Sequence, residues 1–283
     1  MRRAVLTTLL AAAALSGCIR VSLSETDVYL PQPGAVAPPA KLAIGGVEYA
    51  VEPQTVTSLD GTRLAGALLR RPGAERTVLY FGGNLFTMKS NAAEVAQVLA
   101  PLGVNIMVLD YRGYGASGSG PLKMDAIMGD ALAAFDHLAS RPGMDASRIV
   151  VHGHSLGSFM AGHVAANRPT AGVVLESSAT TAEAYARHQV PFLARPFVRL
   201  DISESLRRQG NLQQMPRIDE PLLLLVGSED RPMPPRFSRE LFQASTLPPE
   251  RKRLHVVPGA GHNDVLHHPS AVAAYREFLT ILR

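Results

Sequence analysis

One short motif constrains this chain more than any other stretch. Residues 153–157 read Gly-His-Ser-Leu-Gly and match the pattern Gly-x-Ser-x-Gly, and the β-branched run 149–151 precedes them. The stretch that follows, 158–166, is rich in Ala and Gly, which suits a helix packed closely against a sheet. Strand, sharp turn and helix together are the setting in which such a serine acts as a nucleophile. The pattern predicts Ser155 at a strand-to-helix turn; the plain alternative is an ordinary connection between the two elements.

Apolar runs alternate with amphipathic helical patterns along most of the chain. The runs predict strands at 77–81, 104–109, 149–151, 172–175, 221–226 and 254–257, and the helical patterns cover 88–102, 235–244 and 269–282. Asp60-Gly61, between two alternating segments, predicts an antiparallel hairpin at the entry to the sheet. This alternation is typical of an α/β fold with a mostly parallel central sheet flanked by helices. We expect one such domain over residues 41–283.

Composition limits the functions to be considered. The chain has 283 residues, of which 46% are hydrophobic and 18% charged, enough to bury one large core. Its formal net charge is only +4, and no stretch clusters Lys and Arg with aromatic residues, so we expect no nucleic-acid partner. Phosphate-binding and dinucleotide motifs are missing from the sequence, and no histidine has a nearby set of metal ligands. We therefore expect neither a cofactor nor a metal.

Two further polar residues complete a candidate catalytic triad. Ligands of α/β sheets bind beyond the carboxyl ends of the strands, which selects the loops that follow them. Asp230 follows the strand at 221–226, and His262 follows the strand at 254–257. The chain order Ser155, Asp230, His262 predicts a nucleophile, an orienting acid and a general base in that order. Glu176, which follows another strand, is the alternative acid.

Three motifs besides the serine motif support a family resemblance. They are Gly83-Asn84, the loop Asp110 to Gly115 (Asp-x-Arg-Gly-x-Gly), and Gly261 to Asp264 (Gly-His-Asn-Asp). The chain resembles the α/β-hydrolase superfamily from about Val47 to its end, closest to compact members related to the prolyl-oligopeptidase clan.

That resemblance implies an α/β-hydrolase fold and a serine hydrolase that works through an acyl-enzyme. It also implies an oxyanion hole made by the backbone N–H groups of Asn84 and Leu156. One departure is that Gly82 stands where such chains usually have His. Asp110 is expected to be a structural acid at the end of its strand rather than a catalytic one.

A segment at about 180–215 breaks the alternation and predicts a short helical cap over the catalytic edge. Its side chains Val190, Phe192, Leu193 and Phe197 could line a slot for an acyl group, or could instead attach the cap to the sheet. The cap has few acids to bind a peptide amine. We therefore expect acyl esters or thioesters as substrates, with a peptidase or aminopeptidase, or a non-catalytic envelope binding protein, as alternatives.

The N-terminus has the order of an export signal. Arg2 and Arg3 precede an apolar run, Ala4 to Ala14, that is too short to span a bilayer. Leu-Ser-Gly-Cys at 15–18 resembles a bacterial lipobox, which implies removal of residues 1–17 and lipid attachment at Cys18, the only cysteine. The alternative is a plain secretory signal. We expect a flexible tether over 18–40 and a membrane-anchored lipoprotein facing the periplasm, with the outer membrane weakly favoured.

Overall fold

A nine-stranded sheet forms the centre of the computed structural model, which describes residues 19–34 and 39–282. The described residues form eleven strands, nine of which belong to this sheet. They are β1 (Ile19–Leu23), β2 (Lys41–Ile44), β3 (Val47–Thr57), β4 (Arg63–Arg70), β5 (Thr77–Phe81), β6 (Asn105–Leu109), β7 (Ile149–His154), β8 (Gly172–Glu176), β9 (Val198–Ile202), β10 (Leu222–Gly227) and β11 (Lys252–Val257). The central sheet has the order β11-β10-β8-β7-β5-β6-β4-β3-β2. The strands from β11 to β6 run parallel, and β4, β3 and β2 join antiparallel. The predicted mostly parallel sheet with an antiparallel entry is confirmed.

Helices cover both faces of this sheet. They are α1 (Glu25–Val28), α2 (Met88–Leu99), α3 (Met124–Ala139), α4 (Gly157–Ala165), α5 (Ala182–Gln189), α6 (Glu204–Arg207), α7 (Asn211–Gln214), α8 (Pro235–Ala244) and α9 (Pro269–Ile281). Short 3-10 helices lie at Ala100–Leu102, Ala146–Arg148, Phe192–Phe197, Met215–Arg217, Pro249–Arg251 and Val265–His267. Apolar side chains of α3, α4 and α8 form one core with the sheet, and those of α2 and α9 form a second core. The continuous apolar runs of β5, β6 and β10 follow from burial on both faces.

The segment at 19–34 does not form the tether expected over 18–40. β1 pairs in parallel with β9 in a separate two-stranded sheet, with Ile19 opposite Val198 and Leu23 opposite Ile202. Tyr29 is buried in the core that holds α3 and α4. The tether prediction is wrong for this segment because the chain finds a partner strand that lies far away in sequence. Cys18 and the signal residues 1–17 lie outside the described residues.

The cap predicted at about 180–215 is present but is not purely helical. It contains α5, the 3-10 helix 192–197, strand β9, α6 and α7. Because β9 needs a partner strand and β1 supplies it, the cap and the N-terminal segment form one layer over the catalytic edge. Within the described residues, no helix is long and apolar enough to cross a membrane.

Candidate active site

Ser155 sits at the tight turn between β7 and α4, in a backbone conformation that non-glycine residues seldom adopt. Its φ is 53°, and its N–H donates to the carbonyl of Glu176 at 2.9 Å. A side chain on Gly153 would collide with the backbone of Gly157, and one on Gly157 would collide with the carbonyl of Phe81. The two glycines of the motif are therefore required by close backbone approach, and the turn lifts the serine above the sheet.

Ser155, His262 and Asp230 form a continuous hydrogen-bonded chain. The Oγ of Ser155 lies 2.9 Å from Nε2 of His262, and Nδ1 of His262 lies 2.9 and 3.0 Å from the carboxylate oxygens of Asp230. Asp230 is 3% exposed, and its Oδ1 also accepts the N–H of Met233 at 2.8 Å. With Nδ1–H donated to Asp230, the free Nε2 faces the serine hydroxyl and can take its proton.

The strand order explains why three residues so distant in sequence meet. β7, β8, β10 and β11 are neighbours and parallel, so the loops after β7, β10 and β11 emerge at one edge. The acid loop and the base loop are also joined directly, because the N–H groups of Ser228 and Glu229 donate to the carbonyls of Val257 and Ala260, both at 2.9 Å. These backbone bonds hold Asp230 against His262 without depending on the side chains themselves.

Glu176, the alternative acid, faces a different histidine. Its Oε2 accepts from Nε2 of His152 at 2.9 Å, and both side chains are buried. Burial of Glu176 would raise its pKa, but the hydrogen bond from His152 and the neighbouring histidines outweigh that effect and lower the pKa. The structure brings Asp230, not Glu176, to the ring of the candidate base.

His154, the residue before Ser155, forms a hydrogen bond with the backbone of the candidate base, His262. Its Nε2 lies 2.9 Å from the backbone carbonyl of His262, and the two rings are 5.1 Å apart. Burial lowers the pKa of His154, so the ring is neutral near pH 7 and can donate Nε2–H to that carbonyl. No sequence pattern predicted this role for His154. The available signal was its place on the nucleophile strand, two residues after His152.

Asn84 and Leu156, the expected oxyanion residues, line the same cavity as Ser155. Among the described residues, neither backbone N–H has a hydrogen-bond partner. The side chain of Asn84 is held firmly: it donates to the carbonyl of Val28 at 2.7 Å and accepts from the Tyr114 hydroxyl at 3.0 Å. Both N–H groups are therefore free to bind a developing negative charge.

Gly82 departs from the family pattern, and packing explains why glycine occupies this position. A Cβ at position 82 would overlap the side chain of Phe86, which is buried in the core of α2 and α9. Phe86 thus takes the space that a side chain at 82 would need. Asp110 is structural, as expected, because it accepts the N–H of Met88 at 2.7 Å and of Ala116 at 2.9 Å. It ties the loop that carries Asn84 to the loop after β6.

An apolar cavity of about 560 Å³ opens beside Ser155. Its wall is formed mainly by side chains of β1, α5, β9, the start of α4 and the loops beside them; they include Leu23, Phe159, Tyr185, Ala186, Val190, Ala194, Leu200 and Met233. Val190 lines the cavity, as the acyl-slot hypothesis requires. Phe192, Leu193 and Phe197 do not, because their side chains are exposed to solvent. For these three residues both earlier alternatives are wrong: they neither line a slot nor attach the cap to the sheet.

Known proteins include a family that this chain matches, relatives in sequence and a solved structure of similar fold. The profile of the prolyl oligopeptidase family matches residues 90–280. An uncharacterized protein of Mycobacterium tuberculosis is 33% identical over 89% of this chain and 86% of its own. The α/β hydrolase domain-containing protein WAV2 of Arabidopsis thaliana is 30% identical over 78% and 75% of the two chains. The esterase Pf2001 of Pyrococcus furiosus shares the fold with a TM-score of 0.68, at 22% identity over 89% of this chain and 97% of its own.

Proposed function

Because this chain belongs to the prolyl oligopeptidase family and has the α/β-hydrolase fold, we propose that it is a serine hydrolase that cleaves acyl esters or thioesters. Ser155 attacks the acyl carbonyl while His262 takes its proton, and Asp230 stabilises the imidazolium that results. The N–H groups of Asn84 and Leu156 bind the oxyanion. His262 then protonates the leaving alcohol or thiol, and a water molecule deprotonated by the same ring hydrolyses the acyl-enzyme.

The single observation that carries the proposal is the relay from Asp230 through His262 to Ser155, with both links at 2.9 Å. A serine hydroxyl is a weak nucleophile unless a base stands within hydrogen-bond reach and is itself oriented by a third group. Both conditions hold here, beyond the carboxyl ends of the parallel strands, where ligands of such folds bind.

The lining of the cavity favours an acyl group over a peptide. Its described wall is almost entirely apolar, and its only carboxylate belongs to Asp27. An aminopeptidase must bind a charged amine, for which this wall offers little. An aliphatic chain, in contrast, gains about 0.8 kcal/mol for each methylene removed from water. The esterase name of one structural relative agrees with this class.

The site of action is proposed to be a membrane surface. The lipobox-like stretch at 15–18 implies a lipid on Cys18, and β1 begins at the next residue, Ile19. A lipoprotein anchored there in the periplasm, with the outer membrane favoured, would hold the cap close to the bilayer. Cys18→Ser should release the protein from membranes or leave it as an unprocessed precursor. Correct cleavage with unchanged membrane fractionation would contradict the anchor.

The enzymatic proposal is tested with a fluorophosphonate probe and a series of substrates. The wild type should bind the probe covalently and should hydrolyse short- to medium-chain acyl esters faster than any aminoacyl amide. Ser155→Ala should abolish both labelling and turnover, while Ser90→Ala, an exposed serine on α2, should change neither. Labelling that survives in Ser155→Ala would overturn the assignment of the nucleophile. Release of N-terminal amino acids with little ester cleavage would favour an aminopeptidase, and no labelling of the wild type would favour a non-catalytic binding protein.

A further inference from the structure

The cap exposes a cluster of large apolar side chains on the 3-10 helix Phe192–Phe197. Phe192 is 77% exposed, Leu193 84% and Phe197 59%. We call these three residues the apolar ridge. Single exposed apolar residues are common, such as Leu59 in the β3–β4 turn, but three within six residues form a patch that usually marks an interaction surface.

Three arginines accompany the apolar ridge and have no acidic partner among the described residues. They are Arg20, Arg195 and Arg199, all exposed. Arg20 lies opposite Arg199 in the β1–β9 pairing, and the guanidinium of Arg195 lies 5.8 Å from the centre of the Phe192 ring. Two other arginines of the cap, in contrast, form ion pairs: Arg187 with Glu183, and Arg208 with Glu204.

Strand alternation separates this charged face from the cavity. Val198, Leu200 and Ile202 of β9 line the apolar cavity, so Arg199 and Asp201 point to the opposite, outer face. Asp201 is the acid on that face, and it lies opposite Ser22, two pairs along from the arginines. The surface around the ridge is therefore positively charged.

The ridge also adjoins the wall of the cavity. Pro191, Ala194 and Val198 line the cavity and alternate in sequence with the exposed residues of the ridge. Ile19, which follows the expected lipid attachment site directly, pairs with Val198, the residue after the ridge. The start of the described chain and the ridge thus lie beside each other and next to the wall of the cavity.

We propose that this end of the protein docks on an anionic lipid bilayer, with the apolar ridge inserted among the lipids and Arg20, Arg195 and Arg199 at the headgroups. Segments with Phe and Leu on one side and arginines beside them bind membranes in this way, through buried apolar area together with attraction to anionic lipid. The docking adds to any lipid on Cys18 and does not depend on turnover. It would place the mouth of the cavity against the bilayer.

The test measures binding of the unlipidated protein to vesicles. A chain that begins at Ile19 contains every element that the structure describes, and circular dichroism checks that it is folded. It should cosediment with vesicles of phosphatidylcholine and phosphatidylglycerol in equal parts, and much less with phosphatidylcholine alone. Replacing Phe192, Leu193 and Phe197 together by Ser should weaken binding at least ~10-fold. Leu59→Ser, a loss of one exposed leucine elsewhere, should not weaken it.

The charges are tested with a pair of variants of equal net charge. Replacing Arg195 and Arg199 by Gln should weaken binding about 5-fold for each arginine, and added salt should reduce the difference. Replacing the ion-paired Arg187 and Arg208 by Gln is the control and should have a smaller effect. Turnover of a soluble short-chain ester should stay unchanged in the ridge variant, since its residues lie outside the cavity.

Three outcomes would overturn the proposal. One is equal vesicle binding by the wild type and the ridge variant, both folded by circular dichroism. Another is a wild type that binds neither kind of vesicle. The third is a wild type that forms dimers by analytical ultracentrifugation, becomes monomeric in the ridge variant and does not bind vesicles, which would make the ridge an interface between two copies.

Discussion

The catalytic loops and the cap differ in how their residues are held in place. Ser155, Asp230 and His262 each follow a central parallel strand, and backbone hydrogen bonds connect the loops of Asp230 and His262. The cap and the N-terminal segment consist of short elements, and their only sheet is the two-stranded pair of β1 and β9. The catalytic loops are fixed by their immediate neighbours in the sheet. The cap, in contrast, depends on the pairing of β9 with β1, a strand that lies far away in the sequence.

This difference separates the chemistry of the site from its selectivity. The residues proposed for proton transfer are placed by the central sheet, whereas the shape of the apolar cavity depends largely on β1, α5 and β9. One of the connections between the two regions passes through Tyr114, whose hydroxyl accepts the N–H of Leu30 at 2.8 Å and donates to the side chain of Asn84. Variants in each region, and at this connection, should therefore have effects of different kind and size.

The largest effect is expected from the acid of the triad. Asp230→Asn leaves the fold intact but favours the wrong tautomer of His262, so kcat should fall about 10⁴-fold. The measurement is ester turnover with thermal melting as a check on folding. Glu229→Gln, at the exposed neighbouring position, is the control and should be nearly neutral. Near-normal turnover in Asp230→Asn, with a large loss in Glu176→Gln, would move the acid to Glu176.

A smaller effect on turnover is expected where the N-terminal segment meets the loop that carries Asn84. Tyr114→Phe removes the hydroxyl that joins Leu30 to Asn84 and leaves the N–H of Leu30 without this acceptor. We expect kcat to fall roughly 10-fold, because a displaced oxyanion donor weakens binding of the transition state, while KM changes little. Tyr29→Phe is a matched control, since its buried hydroxyl has no hydrogen-bond partner among the described residues. Equal effects of both variants would mean that the connection does not influence the site.

The cavity wall should govern chain-length preference. Ala186→Leu places a larger side chain in the cavity and should lower kcat/KM for longer acyl esters, by about 4-fold for each methylene that no longer fits. Acetyl-ester turnover should survive. Phe192→Ala should leave the preference unchanged, because that side chain is exposed rather than in the cavity. A shift in Phe192→Ala, without one in Ala186→Leu, would place the acyl group along the outside of the cap.

The smallest effect concerns stability against acid. Burial lowers the pKa of His137, His154 and His163, so the folded state binds fewer protons than the unfolded state as pH falls toward about 6.5. The contribution of these histidines to the free energy of unfolding is present above about pH 6.5 and is lost as the pH falls below that value. Thermal melting temperature should therefore drop by a few degrees between about pH 8 and about pH 5.5. Replacing His137 and His163 by Gln should reduce that slope, and a wild type that melts higher in acid would contradict the argument.

The sequence determined the central sheet and the order of the candidate triad residues. Long apolar runs such as 221–226 are buried on both faces in any parallel sheet, so their pattern alone predicts β10. Gly153 and Gly157 predict the turn because only glycine tolerates the backbone contacts there. The sequence favoured Asp230 over Glu176, but both acids follow central strands, and only the tertiary structure shows that Asp230 meets His262 while Glu176 meets His152.

The sequence predicted a cap, but it could not decide the internal structure of the cap or of the N-terminal segment. Pro and Gly residues near 31–39 suggested a tether, but Ile19 to Leu23 pairs with β9, and this long-range pairing leaves no local pattern in a five-residue strand. The orientation of Phe192, Leu193 and Phe197 likewise depends on which side of the 3-10 helix meets the cavity. Local sequence predicts the central strands, because such strands are buried on both faces in every parallel sheet of this kind. Only the tertiary structure decides which surfaces of short, irregular elements are buried, because their burial depends on residues distant in the chain.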